Sequence, residues 1–306
     1  MPRTLLTALT VIAALAAPQA AWRAFQGSTR TFYLSAFDDK GRMVPDLQPA
    51  DLSVKAGGTL LEVVRTEPAA APLRIAVIVS DAGTGGFQQG LASFVQRLTD
   101  RRAELGLVSV LPQPEVVTSF TSDAAVLRQG IRRLGARGRQ DGAQVMEAIQ
   151  DATKGVVSEG QRPVILVLRV GVEGTTPLDG GDVRERLRRS GAMLYVISTA
   201  SAARQPPSSA RTGLSKEQAQ LHDDEVAASL RNLAEVLGDG ARESGGRHDE
   251  IVATTSVSPA LERIADELLN QYAVTCAVPQ GLKANEKLSV TATRKGMKIQ
   301  APARLH

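Results

Sequence analysis

RIAVIVSDAGTGG, Arg74 to Gly86, decides the fold. Its first half is an unbroken apolar run, the pattern of a strand covered on both faces. Its second half is a turn of small residues and glycine. FQQGLASFVQRL follows with helical spacing of its apolar residues. In parallel α/β sheets a turn placed like this one holds phosphates, metals or nucleophiles.

Working outward, the same unit recurs. ELGLVSVLP and EVVTSFT read as neighbouring strands, and RPVILVLRV and AMLYVIST as two further buried ones. Between them lie helical stretches: DAAVLRQGIRRL with Asp123 as a cap, AQVMEAIQDATKGV, and DVRERLRRSG ending at Gly191. SKEQAQLHDDEVAASLRNLAEVLG carries a capping box, Ser215 with Gln218. SGGRHDEIV gives a short strand. SPALERIADELLNQY is the last strong helix, with Ser258 expected at its cap. This alternation predicts a central, mostly parallel sheet of about six strands wrapped by helices.

Both flanks read as β. TFYLSAFDD, LSVKA and LLEVVRT alternate before the PAAAP linker (68–72), and AVTCAVP, KLSVTATRK and KIQAPARL follow the last helix. Neither set alone makes a stable sheet, so the two are expected to pair.

The N-terminus reads as an export signal. One Arg precedes the apolar run LLTALTVIAALAA, and the small residues of AAPQAA follow. The run is short of the ~20 residues of a membrane span. The expected organisation is a signal over 1–21, an N-terminal β segment over 22–69, an α/β domain over 70–275 and a C-terminal β segment over 276–306. The mature chain is expected to be exported, to periplasm or beyond, with no membrane span. Aromatics are sparse at 3%, and the +4 charge is small and interspersed, which counts against nucleic acid. Cys276 is the only cysteine, so no intramolecular disulfide forms, and its strand-like surroundings read as buried.

In order, FDDKGRMVPDLQPADLSVKAGG, PLRIAVIVSDAGTG, GAQVMEAI, RPVILVLRVG, SGGRHDEI, LERIADELLNQYAV and LSVTATRKGMKIQ resemble the exported von Willebrand factor type A-related proteins abundant in Acidobacteria. The resemblance spans nearly the whole mature chain. It implies a type A (Rossmann-like) core and one β-sandwich-like unit built by the two flanks. It also implies a divalent-cation site after the first core strand, of the form Asp-x-Ser-x-Ser, with a Thr before a later helix and an Asp after the fourth strand. Those positions fall here on Ser80, Ala82, Thr84, Ala143 and Val170. Both carboxylates are missing, and Ala82, Ala143 and Val170 cannot ligate. Mg²⁺ requires hard oxygen ligands and usually one or two carboxylates, so no metal or other cofactor is expected. Asp81, one residue late, and Glu173, three past Val170, are the nearest acids. A strand-end shift of one residue turns a side chain to the other face unless a bulge restores it.

Other chemistry is weaker. Gly83 and Gly85 fit two glycines of a dinucleotide turn, but Gln88 takes the third and no P-loop lysine follows. His222, His248 and His306 have no metal-ligand spacing and read as surface residues. No G-x-S-x-G elbow is present, although a Ser–His–Asp triad assembles in space and spacing does not exclude it. The acids of 222–235 sit early in a helix, where the dipole favours them. RERLRRSG (184–191) places Arg near a helix end, and 128–140 is a basic, loop-like stretch that could face an anionic partner.

The expected function is therefore non-enzymatic, with no catalytic residue: an exported module that binds an unknown protein partner of the cell envelope without metal. Asp81, Gly83, Gly85, Arg169 and Glu173 form the expected partner-binding edge, and the loop 199–213 is placed to cap it. Two alternatives stay open: a weakly cation-dependent adhesion module using Asp81, and an envelope hydrolase or ligand-binding enzyme.

Overall fold

The computed structural model describes residues 28–81, 85–110, 113–135, 144–170, 175–199, 215–283 and 285–306. The expected signal over 1–21 lies outside them.

The described residues open with three strands, β1 (Ser28–Phe37), β2 (Leu52–Ala56) and β3 (Thr59–Pro68). The core then alternates: β4 (Leu73–Ser80), α1 (Gln88–Thr99), β5 (Glu104–Ser109), β6 (Glu115–Thr121), α2 (Ala124–Gly135), α3 (Val145–Gly155), β7 (Arg162–Arg169), α4 (Gly180–Ser190), β8 (Met193–Thr199), α5 (Lys216–Ala234), β9 (Arg247–Ile251) and α6 (Val257–Leu269). β10 (Tyr272–Val278), β11 (Glu286–Ala292), β12 (Lys298–Gln300) and β13 (Arg304–Leu305) close it.

The core sheet has the order β6-β5-β4-β7-β8-β9. β6 alone runs antiparallel to its neighbour. In order of appearance this is 3-2-1-4-5-6, the doubly wound arrangement. Strand residues divide by parity, as the pleat requires. Ile75, Val77 and Val79 pack with α1, α2 and α6, while Ala76 and Ile78 pack with α3, α4 and the end of α5. The helices bury matching stripes. In α1 these are Leu91, Phe94, Val95 and Leu98, at spacings of three and four.

Helix starts follow local chemistry. Asp123 Oδ1 accepts from the N–H groups of Ala125 and Val126 at 2.7 and 3.2 Å. Asp179 caps α4, and Ser215 and Gln218 form the expected box on α5. Ser258 is not a cap. α6 begins at Val257 with Ser256 before it, and Ser258 lies inside the first turn. There it packs on Gly90 of α1, where a Cβ would meet Ser258 Oγ at 2.6 Å. The missing side chain on α1 lets the two helices approach, and that contact uses Ser258. α5 continues through a π-helical turn, Glu235–Gly240, and a last turn, Ala241–Glu243. Arg184 on α4 pairs with Glu235 and Glu243 at its two ends.

The flanks form one seven-stranded antiparallel sheet, β12-β1-β10-β3-β2-β11-β13. It curls around its own core of Phe32, Leu34, Val54, Tyr272, Val274 and Leu288, among others. The unit expected from the two flanks is thus one curled sheet. Its middle is β10, which pairs β1 on one side and β3 on the other. The expected boundary at 275/276 cuts this strand and is corrected to a point before Tyr272. AVTCAVP is apolar enough to pass for a last core strand, but its partners are the head strands. Cys276 is buried there, and burial raises its thiol to about 11.

Buried polar groups join the two units. Glu267 on α6 is 1% exposed. Its Oε1 accepts from Tyr195 Oη at 2.7 Å, Ser35 Oγ at 3.0 Å and Gln300 Nε2 at 2.8 Å. Arg247 donates to its other oxygen. Burial raises the Glu267 pKa against the opposing pull of Arg247. Burial alone would lower Arg247, but Glu267 and Asp249 outweigh it and hold the guanidinium above its usual value. Nearby, Arg162 donates to Ala71 O, Leu268 O and Gln271 Oε1 at 2.8, 3.0 and 2.9 Å, and burial lowers it to about 10. A cleft of about 810 Å³ opens beside this network, between the 37–45 segment and α6.

Candidate functional site

The C-terminal edge of the core sheet is built by register. Ser80 ends β4, Arg169 ends β7, and Ser198 lies one residue before the end of β8. Ser80 pairs with Arg169, Arg169 with Ser198, and Ser198 with Glu250 on β9. Cross-strand partners share a face, so all four belong to the α3–α4–α5 side, above Ile78, Val167 and Val196.

Three of the four are buried: Ser80 at 0%, Arg169 at 4% and Ser198 at 0% exposure. Ser80 Oγ has no hydrogen-bond partner. Ser198 Oγ lies 2.7 Å from His248 Nε2. His248, the register partner of Val196, stands on the same face. Burial of its ring, and then the Arg169 charge, push its pKa below the ordinary value.

Asp81 has a structural task. Its Oδ2 accepts the Gly85 N–H at 2.9 Å and closes the turn after β4. Gly85 sits at φ +62, a conformation that favours glycine. Val170 continues β7, its N–H bonded to Ser80 O at 2.7 Å. The Gln144 N–H reaches Val110 O, so the start of α3 lies at this same edge. Ala82, Gly83, Thr84, Ala143 and Glu173, and all but the first residue of the loop 199–213, lie outside the described residues.

A divalent cation fits the described donors poorly. Ser80 offers a neutral hydroxyl and Val170 none. The Asp81 carboxylate is committed to a backbone N–H. Arg169 brings a fixed positive charge into the row. Among the described residues no three His, Cys, Asp or Glu side chains gather as a metal site would require.

His248 and Ser198 were not legible as a pair. SGGRHDEIV reads as a short strand, and β9 carries His248, but nothing in that stretch says that Ser198 stands beside it. The signal lay in the apolar runs, each ending on a polar residue: IAVIVS, VILVLR and MLYVIS. In a parallel sheet those ends align.

No family model and no curated protein matches the chain. Solved structures give distant likenesses. Proximal thread matrix protein 1 from the mussel byssus is 10% identical, covering 67% of this chain and 50% of that one, at TM-score 0.44. This chain thus spans about half of that protein's length. The vWF domain of the type V pili tip protein Mfa5 from Porphyromonas gingivalis is 11% identical, covering 65% and 96%, at TM-score 0.44. The SpRpn10 VWA domain is 16% identical, covering 62% and 94%, at TM-score 0.38. Likenesses this distant say nothing of function. The core is a doubly wound α/β fold, six strands with helices on both faces. Among the described residues no helix is long and apolar enough to cross a membrane.

Proposed function

We propose that this protein is a non-enzymatic interaction module that engages a protein partner at the C-terminal edge of its core sheet, without a divalent cation. One observation carries the reading: Arg169 is buried in the row between Ser80 and Ser198. Its fixed positive charge, carried by the strand beside Ser80, opposes a dication at this edge by like-charge repulsion. In this reading Ser80, Ala82, Thr84, Ala143 and Val170 keep the frame of a metal site without its carboxylates. Asp81, Gly83, Gly85, Arg169 and Glu173 form the partner-facing edge, with 199–213 over it. Export after removal of residues 1–21 places the partner in the cell envelope. Crosslinking and pull-down from intact envelopes, with and without chelator, tests this. Equal capture in both is expected. Chelator-sensitive capture, or Mg²⁺ raising the melting temperature of the parent but not of Asp81→Ala, would replace it with cation-dependent adhesion.

One observation favours a hydrolase, the 2.7 Å Ser198–His248 pair. Against it, Ser198 is fully buried, and Asp249 is bonded to Arg247 and alternates to the other face of β9. A fluorophosphonate probe separates the readings. No labelling of Ser198 is expected, and covalent modification there would favour the enzyme.

A further inference from the structure

The cleft of about 810 Å³ between the 37–45 segment and α6 lies where the two units meet. It is apart from the C-terminal edge of the core sheet. Arg247, on its wall, begins β9, whereas Ser198 pairs with Glu250 near the end of that strand. A cavity of this size between two packed units is a common setting for a small ligand. Met43, Val44 and Pro45 on one wall and Leu269 and Tyr272 on the other offer apolar surface. The polar groups divide by what they have left to give. The acids are engaged within the protein. Asp266 pairs with Arg97, and Asp249 with Arg247. Glu267 accepts from Arg247, Tyr195, Ser35 and Gln300. The guanidiniums keep donors in reserve. Arg247 gives Nε to Asp249 and Nη1 to Glu267, and its side chain is still 24% exposed. Arg263 is exposed on α6 and has no ion pair among the described residues. An arginine only donates, and its planar fork matches a carboxylate. The open groups of the cleft thus ask for an acceptor joined to an apolar body. Three arginines and three acids line it, so a second negative charge on the ligand would go uncompensated.

We propose that this cleft binds a small apolar carboxylic acid, its carboxylate held by Arg263 and Arg247 and its body against Met43, Val44, Pro45 and Leu269. This site is separate from the edge read as partner-binding, and neither reading depends on the other.

Calorimetric titration of the full chain with sodium 2-naphthoate tests it, beside 2-naphthamide, sodium acetate and 1-naphthyl phosphate. Saturable binding of 2-naphthoate is expected. The uncharged amide and the body-less acetate are each expected to bind at least about tenfold more weakly. Arg263→Gln is expected to weaken 2-naphthoate about tenfold, the loss of one hydrogen bond to a charged group. Arg263 is exposed, so this variant is expected to melt with the parent. Pro45→Asp sets a carboxylate on the apolar wall and is expected to abolish binding. If that variant fails to fold, Arg263→Gln still decides. The Met43 methyl resonance reports the location, and the ring current of bound 2-naphthoate is expected to shift it. Absence of saturable binding, or an amide or acetate that binds as well as 2-naphthoate, would overturn the proposal. So would tighter binding of the phosphate dianion, unchanged affinity in Arg263→Gln, or an unmoved Met43 methyl.

Discussion

Glu267 shows how a single residue joins two units. It lies on the apolar stripe of α6, among Leu261, Ile264 and Leu268, and it is almost fully buried. A lone carboxylate there would be unsustainable, but Tyr195, Ser35, Gln300 and Arg247 satisfy it. Glu267→Ala leaves Arg247 with Asp249 alone and takes the acceptor from Tyr195, Ser35 and Gln300, and is expected to cost about 1–3 kcal/mol, read from urea melts. A loss under about 1 kcal/mol would show that the cluster relaxes into water. His248 sets a pH dependence. Its folded pKa lies below the ordinary 6.5, so in that range the unfolded chain binds more protons. Its contribution is complete above about 6.5 and is lost as pH falls through the folded value. Melts of the parent and His248→Gln should therefore diverge between pH 7.5 and 5, with the parent losing more. Glu267 and His306 titrate in both proteins, so the difference isolates His248. Neither residue's role was legible in the sequence. Glu267 reads as a charge on an amphipathic helix, and its partners come from β1, β8, β9 and β12. A linear pattern records which face a residue occupies, but not which distant polar atoms arrive opposite it.

At the scale of elements, legibility was high where burial is continuous. β4, β7 and β8 are unbroken apolar runs because helices cover both faces, and no other local structure accommodates them as well. Helix starts at Asp123 and Ser215 followed from side chains that bond their own backbone. Ser258 misled because a serine before an apolar stripe also suits a close helix crossing. Gly246 makes the corresponding point for strands. A Cβ there would lie 2.0 Å from Leu194 O, so the chain entering β9 approaches β8 more closely than any side chain permits. Gly246→Ala is expected to destabilise by at least about 3 kcal/mol and to loosen β9, His248 included. Chemical denaturation and the His248 ring shifts check both. A near-neutral variant would mean that the two strands separate easily. The resemblance to type A proteins implies Ser80 and Val170 at the sheet edge, where Arg169 is also expected; register adds that Ser80, Arg169 and Ser198 share one face. Periodicity alone could not, since it does not say which strands are neighbours.

For the whole molecule, the pairing of head and tail matters most. β1 has β10 and β12 as its neighbours, and both come from the tail. Ending the chain at Gln271 removes them and also strips β3 of one neighbour. Residues 28–68 are then expected to lose protection from proteolysis and amide exchange, while β4–β9 keep theirs. Unchanged protection in 28–68 would show that the head strands hold together alone. The curled sheet was foreseen as a joint product of both flanks because each flank carried too few strands to stand by itself. Its central strand is not legible in the sequence, because order within a sheet is set by long-range pairing.

That central strand also imposes a timetable on synthesis. Ser28 leaves the ribosome 250 residues ahead of its partner Val278. The whole α/β core is made between them and can fold while β1 and β3 wait with bare edges. Unpaired edges recruit strands from other chains. A nascent protein stalled before Tyr272 would thus combine a finished core with an adhesive head, a natural substrate for chaperones and proteases. The tail works as a clasp on the head strands.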